Sequence, residues 1–343
     1  MVLDILSGLR RLGHEVLIRY AIPPGLPEHA FETLRSVITR FGLVSGQCSR
    51  QRVDYMAGDV PVEAIGVPGA PPTWIGAWLD ELTPDVVLIQ AKDLLLLPAL
   101  TAFWKGRGLA LLQDEEALRS LTSSLTPVTV SRIASSSISM VASSRFLQSE
   151  ATKRGFESSL FYPALTLLPV APDSFVDAPI TSFGTSPEKG VDIVTALAER
   201  MSDRSFRIVI GWNDRIPKSN LSNLEFAPFA LDPSVFYHES SVVLVPSRCR
   251  EGFGRIVHET MACGRVPVVS NQGALPEVAG EAGVVLPVAE TDAELRQWDT
   301  SLRGLLSEDT LKSNVDRCRR RAEALTVASR EQFRTVFGID YPA

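Results

Sequence analysis

Residues 242–283 read VVLVPSRCREGFGRIVHETMACGRVPVVSNQGALPEVAGEAG. The unbroken apolar run Val242–Val245 ends at Pro246-Ser247, and a second run, Val266–Val269, ends at Ser270. Continuous apolar runs bounded by turn residues read as strands covered on both faces, the kind a parallel sheet uses. Between them Arg255–Cys263 carries helical spacing. The stretch therefore predicts strand, loop, helix, strand. In open α/β sheets ligands collect beyond the carboxyl ends of the strands. Gly252 and Gly254 stand there, where backbone N–H groups can approach a bound group closely, and the helix N-terminus behind them favours an anion such as pyrophosphate. Glu259, inside the helix, offers two acceptors that match the vicinal 2′,3′ hydroxyls of a ribose. Glu251 precedes the helix, within reach of a sugar hydroxyl. Taken singly, a tight strand–helix turn or a solvated helix carboxylate explains each of these residues. The combination of Glu-x7-Glu around Gly-Phe-Gly with Met-Ala-Cys-Gly, Pro-Val-Val-Ser and Leu-Pro-Glu-Val is far more specific.

The same alternation extends outward. Strands are expected at Val16–Ile18, Asp85–Ile89, Leu109–Leu112 and Ile138–Ala142, and the pattern restarts with strands at Ile180–Phe183 and Phe206–Ile210 around a helix at Val191–Met201. Alternating strands and helices predict parallel sheets covered by helices. The restart, and a length of 343 residues, suit two doubly wound domains. They are placed at 1–165 and 175–326, with a hinge in the proline-rich Tyr162–Pro179. A last helix, about Val327–Phe337, belongs to a closing segment 327–343 that crosses back to the first domain. Residues 120–144 are serine-rich but keep apolar positions at regular spacing.

Bulk properties exclude several classes. The net charge of −6 gives no polyanion-binding surface, so no nucleic-acid partner is expected. The one dense basic cluster, Arg317–Arg321, reads as a solvated face near a helix C-terminus, with a phosphate or membrane-surface contact as the alternative. No apolar run approaches the ~20 residues that span a bilayer. Met1–Leu9 contains Asp4 and no basic region, unlike a signal peptide. Cys48, Cys249, Cys263 and Cys318 form no CxxC pair and read as free thiols of a reducing cytoplasm. The four histidines make no ligand pattern and no Asp-x-Asp occurs, so neither a metal nor any other cofactor is expected.

Residues 242–283 resemble the donor-binding half of the GT-B fold retaining glycosyltransferases of family 4, the glycosyl transferases group 1. Ser186-Pro187-Glu188-Lys189-Gly190-Val191-Asp192 is similar to that family's turn after the first strand of its second domain. Leu12-Gly13-His14-Glu15-Val16, Pro84-Asp85-Val86-Val87 and Ser143-Ser144-Arg145-Phe146-Leu147 with Arg154-Gly155-Phe156 resemble elements of its first. The resemblance implies two Rossmann-like domains facing a cleft, the first binding the acceptor and the second the nucleotide sugar. It implies retaining transfer of a sugar to a hydroxyl acceptor without a metal. Glu251 and Lys189 are then the catalytic residues. Gly184, Thr185, Lys189, Gly252, Phe253, Gly254, Arg255 and Glu259 bind the donor, and Gln113 contacts a sugar. The partners are a nucleotide-sugar donor and a hydroxyl acceptor. The cytoplasm is the expected location, with the inner face of the membrane left open.

Three departures stand beside the resemblance. The family opens with a strand and glycine-rich loop, whereas a helix begins here at about Val2, so that the start is mis-set or the strand is lost. Thr185 stands where arginine is common, which leaves the diphosphate to Lys189 and the helix dipole; charge-assisted bonds are roughly twice as strong as neutral ones. Gln113-Asp114 stands where histidine is common. These keep a second function in view, a non-catalytic partner subunit or scaffold, with an epimerase or phosphorylase behind it. Trp74, Trp78 and Trp104 are read as core before sugar platforms, and Trp212, Asn213 and Phe226–Phe229 as core before base contacts.

Overall fold

A computed structural model describes residues 2–22, 28–40, 43–49, 51–67, 71–123, 125–164, 177–211, 216–230 and 232–341. Contacts group the chain into two compact units: Met1–Ala110, Ser124–Ser139 and Phe333–Ala343 in the first, Leu111–Ser123 and Met140–Gln332 in the second. This grouping does not follow chain order as 1–165 and 175–326 do. Most of the proline-rich hinge expected at Tyr162–Pro179 lies outside the described residues, as do Trp212 and Asn213.

The chain opens with α1 (Val2–Arg11), β1 (Ile18–Ile22) and α2 (Glu28–Arg40), then three strands in succession, β2 (Val44–Cys48), β3 (Arg52–Ala57) and β4 (Val60–Gly66). Their sheet has the order β1-β4-β3-β2; β1 pairs β4 in parallel, but β3 runs antiparallel to both its neighbours. The expected parallel pairing fails here for a simple reason. Only Gly58-Asp59 joins β3 to β4, and a parallel connection needs a dozen or more residues. Gly58 has φ 63°, which this tight turn demands. The strand expected at Val16–Ile18 pairs only from Ile18, opposite Val62.

Next come α3 (Pro71–Leu82), β5 (Val86–Gln90), α4 (Leu97–Phe103), β6 (Arg107–Leu112), α5 (Glu115–Ser123), α6 (Pro127–Ala134), β7 (Ile138–Ala142), α7 (Arg145–Thr152) and β8 (Ser158–Leu160). The sheet order is β5-β6-β7-β8. The expected strands at 85–89, 109–112 and 138–142 thus fall on β5, β6 and β7. Trp74 is buried beside Trp78, Arg19 lies over the Trp78 ring, and the Trp104 indole donates to the Arg107 carbonyl.

The remaining elements are β9 (Ile180–Phe183), α8 (Val191–Arg200), β10 (Phe206–Val209), β11 (Leu224–Ala227), α9 (Ser234–His238), β12 (Val242–Val245), α10 (Arg255–Ala262), β13 (Val266–Ser270), α11 (Leu275–Ala279), β14 (Val284–Leu286), α12 (Asp292–Leu305) and α13 (Glu308–Phe337). The sheet order is β11-β10-β9-β12-β13-β14, with every neighbouring pair parallel. Val242, Val243, Leu244, Val266, Val268 and Val269 are all buried, as two-sided coverage of these strands requires. Among the described residues no helix is long and apolar enough to cross a membrane.

The closing helix departs from expectation. It begins at Glu308, not near Val327, and no Gly or Pro interrupts its 30 residues. The cluster Arg317–Arg321 therefore sits mid-helix. Arg317 and Arg320 are exposed, but Arg321 donates to the carbonyls of Val278 and Glu277 at 3.1 and 2.5 Å. It satisfies acceptors that the end of α11 leaves without intrahelical partners. His258 of α10 is also buried against α13, its Nε2 3.2 Å from the Thr326 hydroxyl. Burial pushes its imidazole down to about 4. A folded-state value below the unfolded one means that the unfolded chain takes up the proton first. Stability is thus complete above about pH 6.5 and falls by roughly 3 kcal/mol as pH drops from there through 4. Urea unfolding of wild type and His258→Gln across this window should show a steeper acid loss in wild type; parallel curves refute the assignment.

Candidate functional site

β9 and β12 lie side by side at the centre of the six-stranded sheet, and the chain leaves them toward opposite edges. Such a switch point opens a crevice beyond the strand ends, where ligands of doubly wound sheets bind. Two loops flank it, residues 184–190 after β9 and 246–254 after β12. They are joined through the Glu188 carbonyl, which accepts from Arg248 N at 2.8 Å and Cys249 N at 3.3 Å. Gly190 has φ 76°, and a Cβ there would stand 2.3 Å from the Pro246 carbonyl oxygen. Both conformation and space require glycine.

The charged groups of the crevice are paired. Lys189 Nζ lies 2.5 Å from Glu251 Oε1, which also accepts from the Ser247 hydroxyl at 2.8 Å. The backbone carbonyl of Glu251 accepts from Ala274 N at 2.9 Å, so the residue is held by side chain and main chain. Gly254, at φ 86°, turns the chain into α10. One turn in, Glu259 is only 8% exposed. Its Oε2 accepts from the Tyr237 hydroxyl at 2.6 Å, and its Oε1 pairs with Arg255 at 3.0 Å.

The same compact unit brings the ends of β6 and β7 onto this loop. The Gln113 carbonyl lies so near Gly252 that a Cβ would come within 1.7 Å of its oxygen. Ser143 donates to the Gly252 carbonyl at 3.3 Å. Arg250 pairs with Glu115 at 2.9 Å and Glu150 at 3.5 Å, and its guanidinium sits 4.5 Å from the Phe146 ring centre. Glu150 is pushed down to about 2 by its hydrogen bonds from Lys153 and Arg154. Glu277 of α11 accepts from the first N–H groups of α7, Arg145 at 3.0 Å and Phe146 at 3.2 Å, and from the Tyr162 hydroxyl at 2.7 Å. A carboxylate is well placed there against the positive end of the helix.

Residues 180–298 match the family model described as glycosyl transferases group 1. Over these residues the chain is similar to that family. The matched segment runs from β9 into α12 and contains both crevice loops. Solved structures extend the likeness to the whole fold. Sucrose-phosphate synthase from Thermosynechococcus elongatus is 15% identical with a TM-score of 0.69, over 98% of this chain and 92% of that one. Anabaena HepE, solved with UDP-glucose, is 14% identical with a TM-score of 0.68, over 95% and 100%. A glycosyltransferase from Rickettsia africae is 12% identical with a TM-score of 0.60, over 94% and 99%. The fold is GT-B. No curated protein sequence matched the chain.

The expected residues occupy distinct places. Gly184, at φ 90°, donates its N–H to the Val209 carbonyl at the end of β9, and Thr185 behind it is buried. The Phe253 ring is also buried, 5.6 Å from Tyr162. Gln113 meets Gly252 through its main chain. Sequence reasoning missed Tyr237 and the roles of Ser247, Arg250 and Glu277. Arg250 and Glu277 stand inside the motif block, but their partners lie in other segments; Ser247 acts on Glu251, four residues on. Tyr237 precedes β12 and carries no local signal. Among the described residues no three His, Cys, Asp or Glu side chains converge as a metal site.

Proposed function

We propose that this chain transfers a sugar from a nucleotide-sugar donor to a hydroxyl acceptor with retention and without a metal. The observation that supports this best is the crevice at the β9/β12 switch point, with its glycine loop, Lys189–Glu251 pair and buried Glu259. In this reading Glu259 holds the ribose hydroxyls and Glu251 holds the donor sugar. The diphosphate lies against Lys189, Thr185, the N–H groups of Gly252–Gly254 and the first turn of α10, where Arg255 stands. As the bond from the anomeric carbon to the phosphate oxygen breaks, that oxygen gains negative charge, and Lys189 and the helix N-terminus stabilise it. The acceptor oxygen attacks on the same face and its proton passes to the departing phosphate. The protein's share is orientation and charge stabilisation, with Gln113 a further sugar contact. HepE, of the same fold, was solved with UDP-glucose, so UDP-glucose heads the donors to try. We place the reaction in the cytoplasm.

A thermal-shift screen against UDP-, GDP-, ADP- and TDP-sugars tests the donor site. A ligand at a hundred times its Kd adds about 2.7 kcal/mol of stability. Glu259→Ala should weaken the best nucleotide by about a hundredfold, the loss of charge-assisted bonds to two hydroxyls. Unchanged affinity would remove Glu259 from the site. Binding without transfer or hydrolysis would favour the non-catalytic partner, the reading to which Thr185 in place of arginine points.

A further inference from the structure

The two groups that engage Glu259 differ in kind. Arg255 is 43% exposed in its side chain, and solvent screens such a pair. Tyr237 is 1% exposed, with its ring 5.1 Å from that of Phe183. Its backbone is anchored as well. Arg265, itself 1% exposed, donates to the Tyr237 carbonyl at 3.3 Å and the His238 carbonyl at 2.8 Å. Burial and the Glu259 carboxylate raise the Tyr237 hydroxyl well above its ordinary range, so it remains a donor. The terminal torsion of a glutamate is broad and roughly two-fold. A fixed donor on one oxygen removes that freedom and sets the direction of every remaining lone pair.

We propose that Tyr237 is a positioning residue: its hydroxyl holds Oε2 of Glu259 so that the other acceptor sites of the carboxylate meet both ribose hydroxyls of a bound nucleotide. This rests on the assignment of Glu259 to the ribose. Each carboxylate oxygen has two acceptor sites, so the Tyr237 bond takes one of about four and leaves enough for two hydroxyls. The hydroxyl contributes nothing to base or diphosphate contacts, and its effect should therefore appear only when the ribose hydroxyls are present.

Calorimetric titration separates these possibilities. Wild type, Tyr237→Phe, Glu259→Gln and the double variant are titrated with whichever of UDP, GDP and ADP wild type binds best, and with its 2′,3′-dideoxy form. Tyr237→Phe keeps the ring and should weaken the ribonucleotide about tenfold. Its affinity for the dideoxy form should stay within about twofold of wild type, and in the Glu259→Gln background the substitution should change nothing further. Equal weakening of both nucleotides, no weakening of either, or a further loss in the Glu259→Gln background overturns the proposal. If wild type binds the two nucleotides equally, or binds none of the three parents, the ribose assignment itself falls, and the proposal with it.

Discussion

Gly252→Ala is expected to abolish nucleotide binding and to lower the thermal midpoint of the second unit by about 10 °C. The added Cβ would lie 1.7 Å from the Gln113 carbonyl oxygen, 2.7 Å from its carbon and 3.1 Å from Leu147 Cδ1. The first two are backbone atoms, which cannot turn away as a side-chain tip can. The loop cannot retreat easily either. Ser143 holds the Gly252 carbonyl, Ala274 N holds the Glu251 carbonyl, and Arg250 is tied to Glu115 and Glu150. Steric insertion into packed regions costs about 1–3 kcal/mol, and the top of that range or beyond applies where backbone must move. In a unit of this size each kcal/mol shifts the midpoint by about 2–4 °C. Gly304→Ala is the control. It lies in helix α12 with no atom within 4 Å of the added Cβ, and it should be neutral or slightly stabilising. Scanning calorimetry and nucleotide titration of both variants decide the matter; a Gly252→Ala protein that binds like wild type would contradict the described loop.

Lys189→Ala should lower kcat/KM about a thousandfold with little change in folding stability. The two expectations have separate causes. Lys189 neutralises Glu251, yet its side chain is 39% exposed, and half-exposed pairs contribute little to folding. During transfer the same ammonium would face a phosphate that gains charge, and removing one preorganised group of this type typically costs 10²–10³ in rate. The upper end applies because Thr185 supplies no second cation beside it. Steady-state kinetics with the donor found by thermal shift, alongside urea unfolding, measures both quantities. Loss of stability with normal turnover would make Lys189 a structural residue and end its catalytic assignment.

The central block of the fold was plain from sequence because it needed no partner to be read. Val242–Val245 and Val266–Val269 are uninterrupted apolar runs, and both became interior strands of the six-stranded sheet. Gly252 and Gly254 sit where a turn must precede α10. The meander of β2, β3 and β4 was hidden because β2 is exposed at every position and shows no alternation, while its decisive signal, Gly58-Asp59, is two residues long. The first half of α13 was hidden because its charged surface outweighs a narrow apolar stripe. At the candidate site, motif spacing singled out Glu251 and Glu259, and the family resemblance Lys189, but neither showed what engages them. The Tyr237–Glu259 bond spans 22 residues and the Glu277–Phe146 bond 131; such pairings exist only once the chain is folded.

The pairing of Lys189 with Glu251 and of Arg255 with Glu259 has a kinetic side. Two positive and two negative groups leave these four side chains with no net charge, in a protein of net charge −6. A doubly charged phosphate ester is therefore not drawn in from a distance, because long-range attraction follows net field and not local polarity. If the donor binds as proposed, capture would begin only on arrival, when phosphate oxygens and hydroxyls break the Lys189–Glu251 and Arg255–Glu259 pairs together. Encounter rates should then rise with ionic strength, as salt screens the repulsion from the net negative charge, and a free phosphate, unable to satisfy the released carboxylates, would gain far less than a nucleotide that engages both carboxylates.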